Sequence, residues 1–114
     1  MNSLENARFD TVKRLFAAYV AQHPEFVDPM LTRDFTFSSP RDDHINREQY
    51  FEQCWPKEKA FRDIHIEHLV ADGNDVIVGY RAEKMDGGSF RNVELIRFAG
   101  DRIAEVNVYF GRHL

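Results

Sequence analysis

The chain has 114 residues, 43% of them hydrophobic, and its 15 basic and 19 acidic side chains leave a formal charge of −4. That length fits one domain over residues 1–114, with a single core that needs no disulfide or metal staple. Acids and bases are mixed along the chain, which excludes a nucleic-acid groove built on clustered Lys and Arg.

The first helix is predicted to start near Asn2, with Glu5 three residues on in capping-box spacing. Phe9, Val12, Leu15, Phe16 and Tyr19 recur as one apolar face, while Lys13 and Arg14 turn to water. Burying such a face contributes roughly 1.5 to 3 kcal/mol per large side chain, so the helix must lie on a sheet. Residues 1–22 also carry Glu5 and Asp10, and are neither a signal peptide nor a membrane span; a reducing cytoplasm is the expected setting. Tyr19, at the helix end, either aims its hydroxyl into a cavity or packs with the hydroxyl on a backbone partner.

Pro24 suits the first turn of a short second helix, with Phe26, Val27, Met30 and Leu31 on its apolar side and Pro29 disturbing it. Residues 34–38 alternate polar and aromatic side chains, including Phe37, and predict a strand that Pro40 ends. That strand is expected to add to the edge of the meander that follows. Residues 39–45 read as a polar loop leading to a third helix, which Asn46 caps with Gln49 three residues on and Pro56 stops after Trp55. Tyr50, Phe51, Cys54 and Trp55 then share a side. Cys54 is the only cysteine, so no internal disulfide forms, and no Cys/His spacing resembles a zinc site.

After a charged connector at residues 56–62, four apolar-rich runs over residues 63–110 are separated by Asp72-Gly73-Asn74, Asp86-Gly87-Gly88 and Ala99-Gly100-Asp101. Each break holds the Gly or Asx a hairpin needs, so the stretch reads as an antiparallel meander. In its first strand Ile64, Ile66 and His68 share one face, and His65, Glu67 and Leu69 the other. The later strands are expected at residues 75–85, 89–98 and 102–110. Nine residues at about 3.3 Å each span roughly 30 Å, the whole width of so small a domain, so the sheet must curl. The fold class is therefore α+β: a curved, mostly antiparallel sheet whose concave face is closed by three N-terminal helices, a cone around a cavity.

What surrounds Glu94 depends on the register of the last hairpin. A loop of two or four residues sets Glu94 opposite Asn107 and gathers Asn92, Glu94, Glu105, Asn107 and Tyr109 on one face. A loop of three sets Glu94 opposite Val106 and Asn92 opposite Val108, with Phe110 further along the same side. The second register puts a carboxylate on a dry concave face, where desolvation makes it a general acid. The ordinary alternative is that Glu94 is a cross-strand partner of Arg97 or Lys84 on a wetted surface. A second constellation, Ser39, Asp42, Asp43 and His44, offers two carboxylates and an imidazole as a general base with a tuning partner. Ordinary turn and capping roles account for the same residue types, and Asp-Asp-His in immediate succession rarely converges on one metal ion.

With these elements placed, the chain resembles the SnoaL-like branch of the nuclear transport factor 2-like superfamily, which includes ketosteroid isomerases and polyketide cyclases. The resemblance rests on Val12-Lys13-Arg14 to Ala18, Phe35 to Pro40, the helix from Asn46 to Phe51, and Glu94-Leu95-Ile96-Arg97-Phe98 followed by Asp101-Arg102-Ile103-Ala104-Glu105. It implies a curved-sheet cone with a deep apolar pocket, a homodimer through the outer sheet face, and the three-residue register for Glu94. It does not imply a ketosteroid isomerase: that chemistry looks for a tyrosine where this chain has Leu15 and a base aspartate where it has Ser39, and only Glu94 has a counterpart.

The expectation is a pocket for a small hydrophobic molecule with no metal or cofactor, used for acid/base isomerisation, cyclisation or dehydration of a carbonyl or hydroxylated compound. Glu94 would serve as acid, Asp43 or Asp42 as base, and Tyr19, Phe37, Ser39, His44, Phe51, Trp55, Asn92, Val106, Val108 and Phe110 as the ligand's surroundings. The rival expectation is a non-catalytic homodimeric ligand-binding or interaction module, whose pocket holds an apolar ligand or is merely packed by Phe16, Phe37, Phe51 and Trp55.

Overall fold

A computed structural model describes residues 3–114, so the expected cap at Asn2 lies outside the described residues. Helix α1, Ser3–Ala21, buries Arg8, Thr11, Val12, Leu15, Phe16 and Ala18, with Phe9 and Tyr19 packed at the margin of the core. It ends through Gln22 at φ 62°, a left-handed exit that lets the His23 N–H reach the Ala18 carbonyl at 2.9 Å. Helix α2, Pro24–Val27, is one turn long and passes into a 3-10 turn, Asp28–Met30, at Pro29. Leu31 consequently opens strand β1 rather than completing a helix face, and Phe26 is exposed.

Six strands form one sheet: β1 Leu31–Ser39, β2 Asp42–Asn46, β3 Phe61–Asp72, β4 Asp75–Lys84, β5 Ser89–Ala99 and β6 Arg102–His113. Their order is β2-β1-β6-β5-β4-β3; β1 lies parallel to β6, and every other pairing is antiparallel. The expected meander is thus present, with β1 added at its β6 edge. The sheet is curved and open, and the radius of gyration is 13.4 Å.

The polar stretch at 39–45 corrects the sequence reading, because most of it is strand. Residues Asp42–Asn46 pair back on β1, and the ladder slips between Phe37 and Ser39, where His44 takes φ 50°. Helix α3, Arg47–Cys54, follows with a complete capping box: Asn46 accepts from the Gln49 N–H, and the Gln49 side chain accepts from the Asn46 N–H.

Two further bulges decide which side chains face inward. In β3, Ile66 pairs with Tyr80 and His68 with Gly79, leaving Glu67 unpaired. The phase shifts by one residue, so Leu69 joins Ile64 and Ile66 inside while His68 turns out beside Gly79. In the last hairpin Gly100, at φ 63°, and Asp101 make a two-residue turn, with Ala99 opposite Arg102. A bulge at Ala104 then moves the ladder so that Arg97 faces Glu105, Ile96 faces Val106 and Glu94 faces Val108. The concave placement expected of Glu94 is reached through a short turn plus a bulge, and its partner is Val108 instead of Val106.

Helix α1 crosses the concave face, where Phe16 meets Tyr80 at 4.8 Å between ring centres and Tyr19 meets Phe61 at 5.5 Å. Helix α3 covers β1 through Tyr50, which packs on Phe35 and Phe37. At the end holding the β3–β4 and β5–β6 turns, buried Arg8 clasps both: it donates twice to the Gly100 carbonyl (2.8 and 3.0 Å) and once to Asn74 Oδ1 (3.3 Å), over the Phe98 ring. The strand directions put Ser39 and Phe110 at the other end, where the cone is open.

Candidate functional site

Between the concave face and helices α1 and α3 lies a cavity of about 530 Å³. Its walls are apolar and aromatic: Leu15, Phe16 and Tyr19 from α1, Phe37 from β1, Tyr50 and Cys54 from α3, and Ile64, Ala82, Phe90, Val108 and Phe110 from the sheet. Ser39, Arg41, Asp42 and Gln53 line its mouth, where Arg41 stands over the half-exposed Phe110 ring at 5.7 Å. Buried Glu94, Tyr80 and Asn92 form the floor.

The alternation of β5 supplies this floor. Asn92, Glu94, Ile96 and Phe98 point inward while Val93, Leu95 and Arg97 point out, so the carboxylate is carried into the core by strand phase. Glu94 is 8% exposed, and burial raises its carboxyl from 4.5 to about 7. A short hydrogen bond opposes that rise: the Tyr80 hydroxyl donates to Glu94 Oε2 at 2.7 Å and favours the ionised form. The Tyr80 hydroxyl in turn accepts from Asn92 Nδ2 at 3.3 Å, and Asn92 Oδ1 accepts from the Gly111 N–H at 3.0 Å. Tyr80 and Tyr50 are both held far above the ordinary phenol range, first by burial and then by the Glu94 charge, so both stay protonated. Burial likewise pushes the Cys54 thiol up to about 11, which makes it a poor nucleophile.

Of the residues expected in the site, Glu94, Asp42, Tyr19, Phe37, Ser39, Asn92, Val108 and Phe110 meet around the cavity. Tyr19 lines it, but its hydroxyl goes to the Cys54 carbonyl at 3.0 Å. Asn92 has both ends of its amide occupied by protein groups. Asp42 accepts from the Ser39 hydroxyl at 2.9 Å.

The rest lie elsewhere. Asp43, 93% exposed, and His44 pair with each other at 2.6 Å on the outer edge strand, where the β1–β2 bulge turns them from the cavity. Phe51 and buried Trp55 stand behind the wall, Trp55 edge-on to Tyr19 and Tyr50, and Val106 is buried in the core beside Phe37. Tyr80, Tyr50 and Arg41 belong to the cavity and were not expected there. Tyr80 had a visible signal, being in phase with Val76, Val78 and Ala82 on β4. Among the described residues, no three metal-ligating side chains cluster.

Fold and cavity together define an open, curled-sheet α+β cone with a single acid at the floor of an apolar pocket. Residues 12–106 match the SnoaL-like domain family, and the chain belongs to that family. A search of curated proteins finds no match. Among solved structures, a provisionally named SnoaL-like polyketide cyclase of Jannaschia sp. CCS1 superposes with a TM-score of 0.80 at 16% identity, covering 95% of this chain and 88% of that one. A provisionally named ketosteroid isomerase of Kribbella flavida DSM 17836 gives 0.78 at 13% identity over 94% and 79%. A de novo designed protein with a curved β-sheet gives 0.82 at 15% identity over 96% and 88%. At such identities the likeness is one of fold alone.

Proposed function

We propose that the cavity binds a small apolar carbonyl or hydroxylated compound and that Glu94 moves a proton on it, as isomerase, cyclase or dehydratase, using only protein groups. The observation that carries this reading is Glu94 itself: one carboxyl at the floor of an apolar cavity, with a pKa of about 7. Near neutral pH it is present as both acid and base, the condition under which proton transfer is efficient. The cavity volume falls within the roughly 300–1,000 Å³ usual for small-molecule sites. Tyr50 also lines the cavity and stays protonated. Asp42, at the mouth, is the second carboxylate within the cavity, and the roles expected of Asp43 and His44 fall away with their outward orientation. The neighbours' names, a polyketide cyclase and a ketosteroid isomerase, are compatible with this chemistry.

The competing reading, a binding module without turnover, draws on Asp42 being tied to Ser39 and on Ser39 standing where an isomerase of this family would carry its base. Thermal-shift screening of wild type and Glu94→Gln against cyclic ketones, phenols, terpenoid alcohols and epoxides separates the two. A ligand at about 100 times its Kd stabilises by roughly 2.7 kcal/mol, a shift of several degrees. The proposal expects one chemical class to shift wild type, and the same class to be turned over with Glu94→Gln inactive. Binding that is equal in both proteins, without turnover, supports the module, and no shift with any class counts against both. In either reading the outer sheet face, with Val93 and Tyr109 side by side across β5 and β6, is where a second copy would pack.

A further inference from the structure

Three hydrogen bonds run in one direction from the end of β6 to the floor of the cavity. The pairing of β5 with β6 slips between Phe90 and Asn92, and at that slip the Gly111 N–H leaves the ladder and donates to Asn92 Oδ1 at 3.0 Å. A main-chain N–H only donates, so this bond fixes which end of the Asn92 amide is oxygen and turns Nδ2 toward Tyr80. Nδ2 cannot accept, so the Tyr80 oxygen must receive its hydrogen, at 3.3 Å, and Tyr80 must send its own proton elsewhere. It goes to Glu94 Oε2 at 2.7 Å. Glu94 Oε1 has no partner among the described residues. The first link is built tightly: a Cβ on residue 111 would stand 2.0 Å from the Arg91 carbonyl oxygen, so only glycine brings this N–H so close to β5.

We propose that Gly111 and Asn92 are positioning residues for Glu94: through Tyr80 they commit Oε2 to the protein and leave Oε1 as the oxygen that meets a ligand. The inference deepens the acid/base reading of Glu94 and rests on it for its catalytic meaning. In the base direction, the electron pair on Oε1 takes a ligand proton while Tyr80 keeps its own. In the acid direction the same oxygen returns it. The other groups around Glu94 leave this arrangement intact. Tyr19 from α1 is committed to the Cys54 carbonyl, Tyr50 and Cys54 from α3 are neutral, and the charged Arg41 and Asp42 stand at the mouth.

The test follows the Glu94 carboxyl carbon by NMR through a pH titration of the full chain, in wild type, Tyr80→Phe, Asn92→Asp and Asn92→Leu, with near-UV circular dichroism confirming the fold. Tyr80→Phe removes the donor to the ionised form. Asn92→Asp has no N–H to give Tyr80 and competes for its proton. Both should raise the Glu94 midpoint by about one pH unit, a tenfold change in proton affinity, with a smaller rise for Asn92→Leu. Unchanged midpoints in folded Tyr80→Phe and Asn92→Asp overturn the chain. A rise in Tyr80→Phe with none in either Asn92 variant overturns the roles of Asn92 and Gly111. If Asn92→Asp does not fold, Asn92→Leu decides. Because this readout needs no ligand, a protein that turns nothing over but shows the shifts loses the proposed function and keeps the hydrogen-bond chain.

Discussion

At the scale of single residues, Glu94 has a cost in stability that depends on pH. Its folded pKa of about 7 lies above the 4.5 of an unperturbed glutamate. Below pH 4.5 both folded and unfolded chains hold the proton, and Glu94 costs nothing. As pH rises toward 7 the unfolded chain releases the proton first, so the folded state loses ground, and above 7 the loss levels off at about 3 kcal/mol. Glu94→Gln removes this term and keeps an oxygen for the Tyr80 hydroxyl. Thermal melts should therefore show Glu94→Gln several degrees more stable than wild type at pH 8, with the difference shrinking toward pH 5. A difference that is flat with pH would mean that Glu94 stays ionised in the folded protein.

At the scale of elements, capping and bulging matter most. Helix α3 brings Tyr50 and Cys54 to the cavity and is only eight residues long, so its start must be fixed from outside. Asn46→Ala breaks the capping box and should cost about 1 kcal/mol, read as a lower melting temperature. It should also blunt any ligand-induced shift, because Tyr50 would lose its fixed place. The sequence carried this helix plainly, as it did the three turns of the meander, because caps and tight turns depend on residues a few positions apart. Bulges are different. Glu67, Ala104 and the His44 region each move a strand's phase by one residue, and nothing in the local alternation marks them: Glu67 and His44 are polar residues on edge strands, and Ala104 is small enough for either face. For that reason Leu69 lies on the opposite face from the one strict alternation predicts, Asp43 and His44 sit on an outward-facing edge strand in place of a loop, and Glu94 faces inward by a different route than a three-residue loop. The Tyr80 link and the Gly111 contact were illegible for a related reason: they join strands across the sheet, at separations of 14 and 19 residues or more.

At the scale of the whole molecule, the convex face mixes apolar and charged groups. Ile77, Val93, Leu95 and Tyr109 sit among the ion pairs Arg91–Glu67 and Arg97–Asp75. If two copies pack there, sedimentation at micromolar concentration will give a dimer, and Val93→Lys will give a folded monomer; a wild-type monomer removes that part of the proposal. No helix among the described residues is long and apolar enough to cross a membrane.

The parallel pairing of β1 with β6 bears on how the chain reaches this state. Leu31 lies beside Ile103, and Phe37 beside Val106. Contacts between segments so far apart in sequence raise the contact order, and folding slows accordingly. Until β6 docks on β5, β1 has only its local partners, strand β2 and helix α3 through Tyr50, and a two-stranded hairpin is barely stable in water. The rim of the cone, with Ser39, Arg41 and Asp42, should therefore assemble after the floor carrying Glu94 has a sheet to sit in.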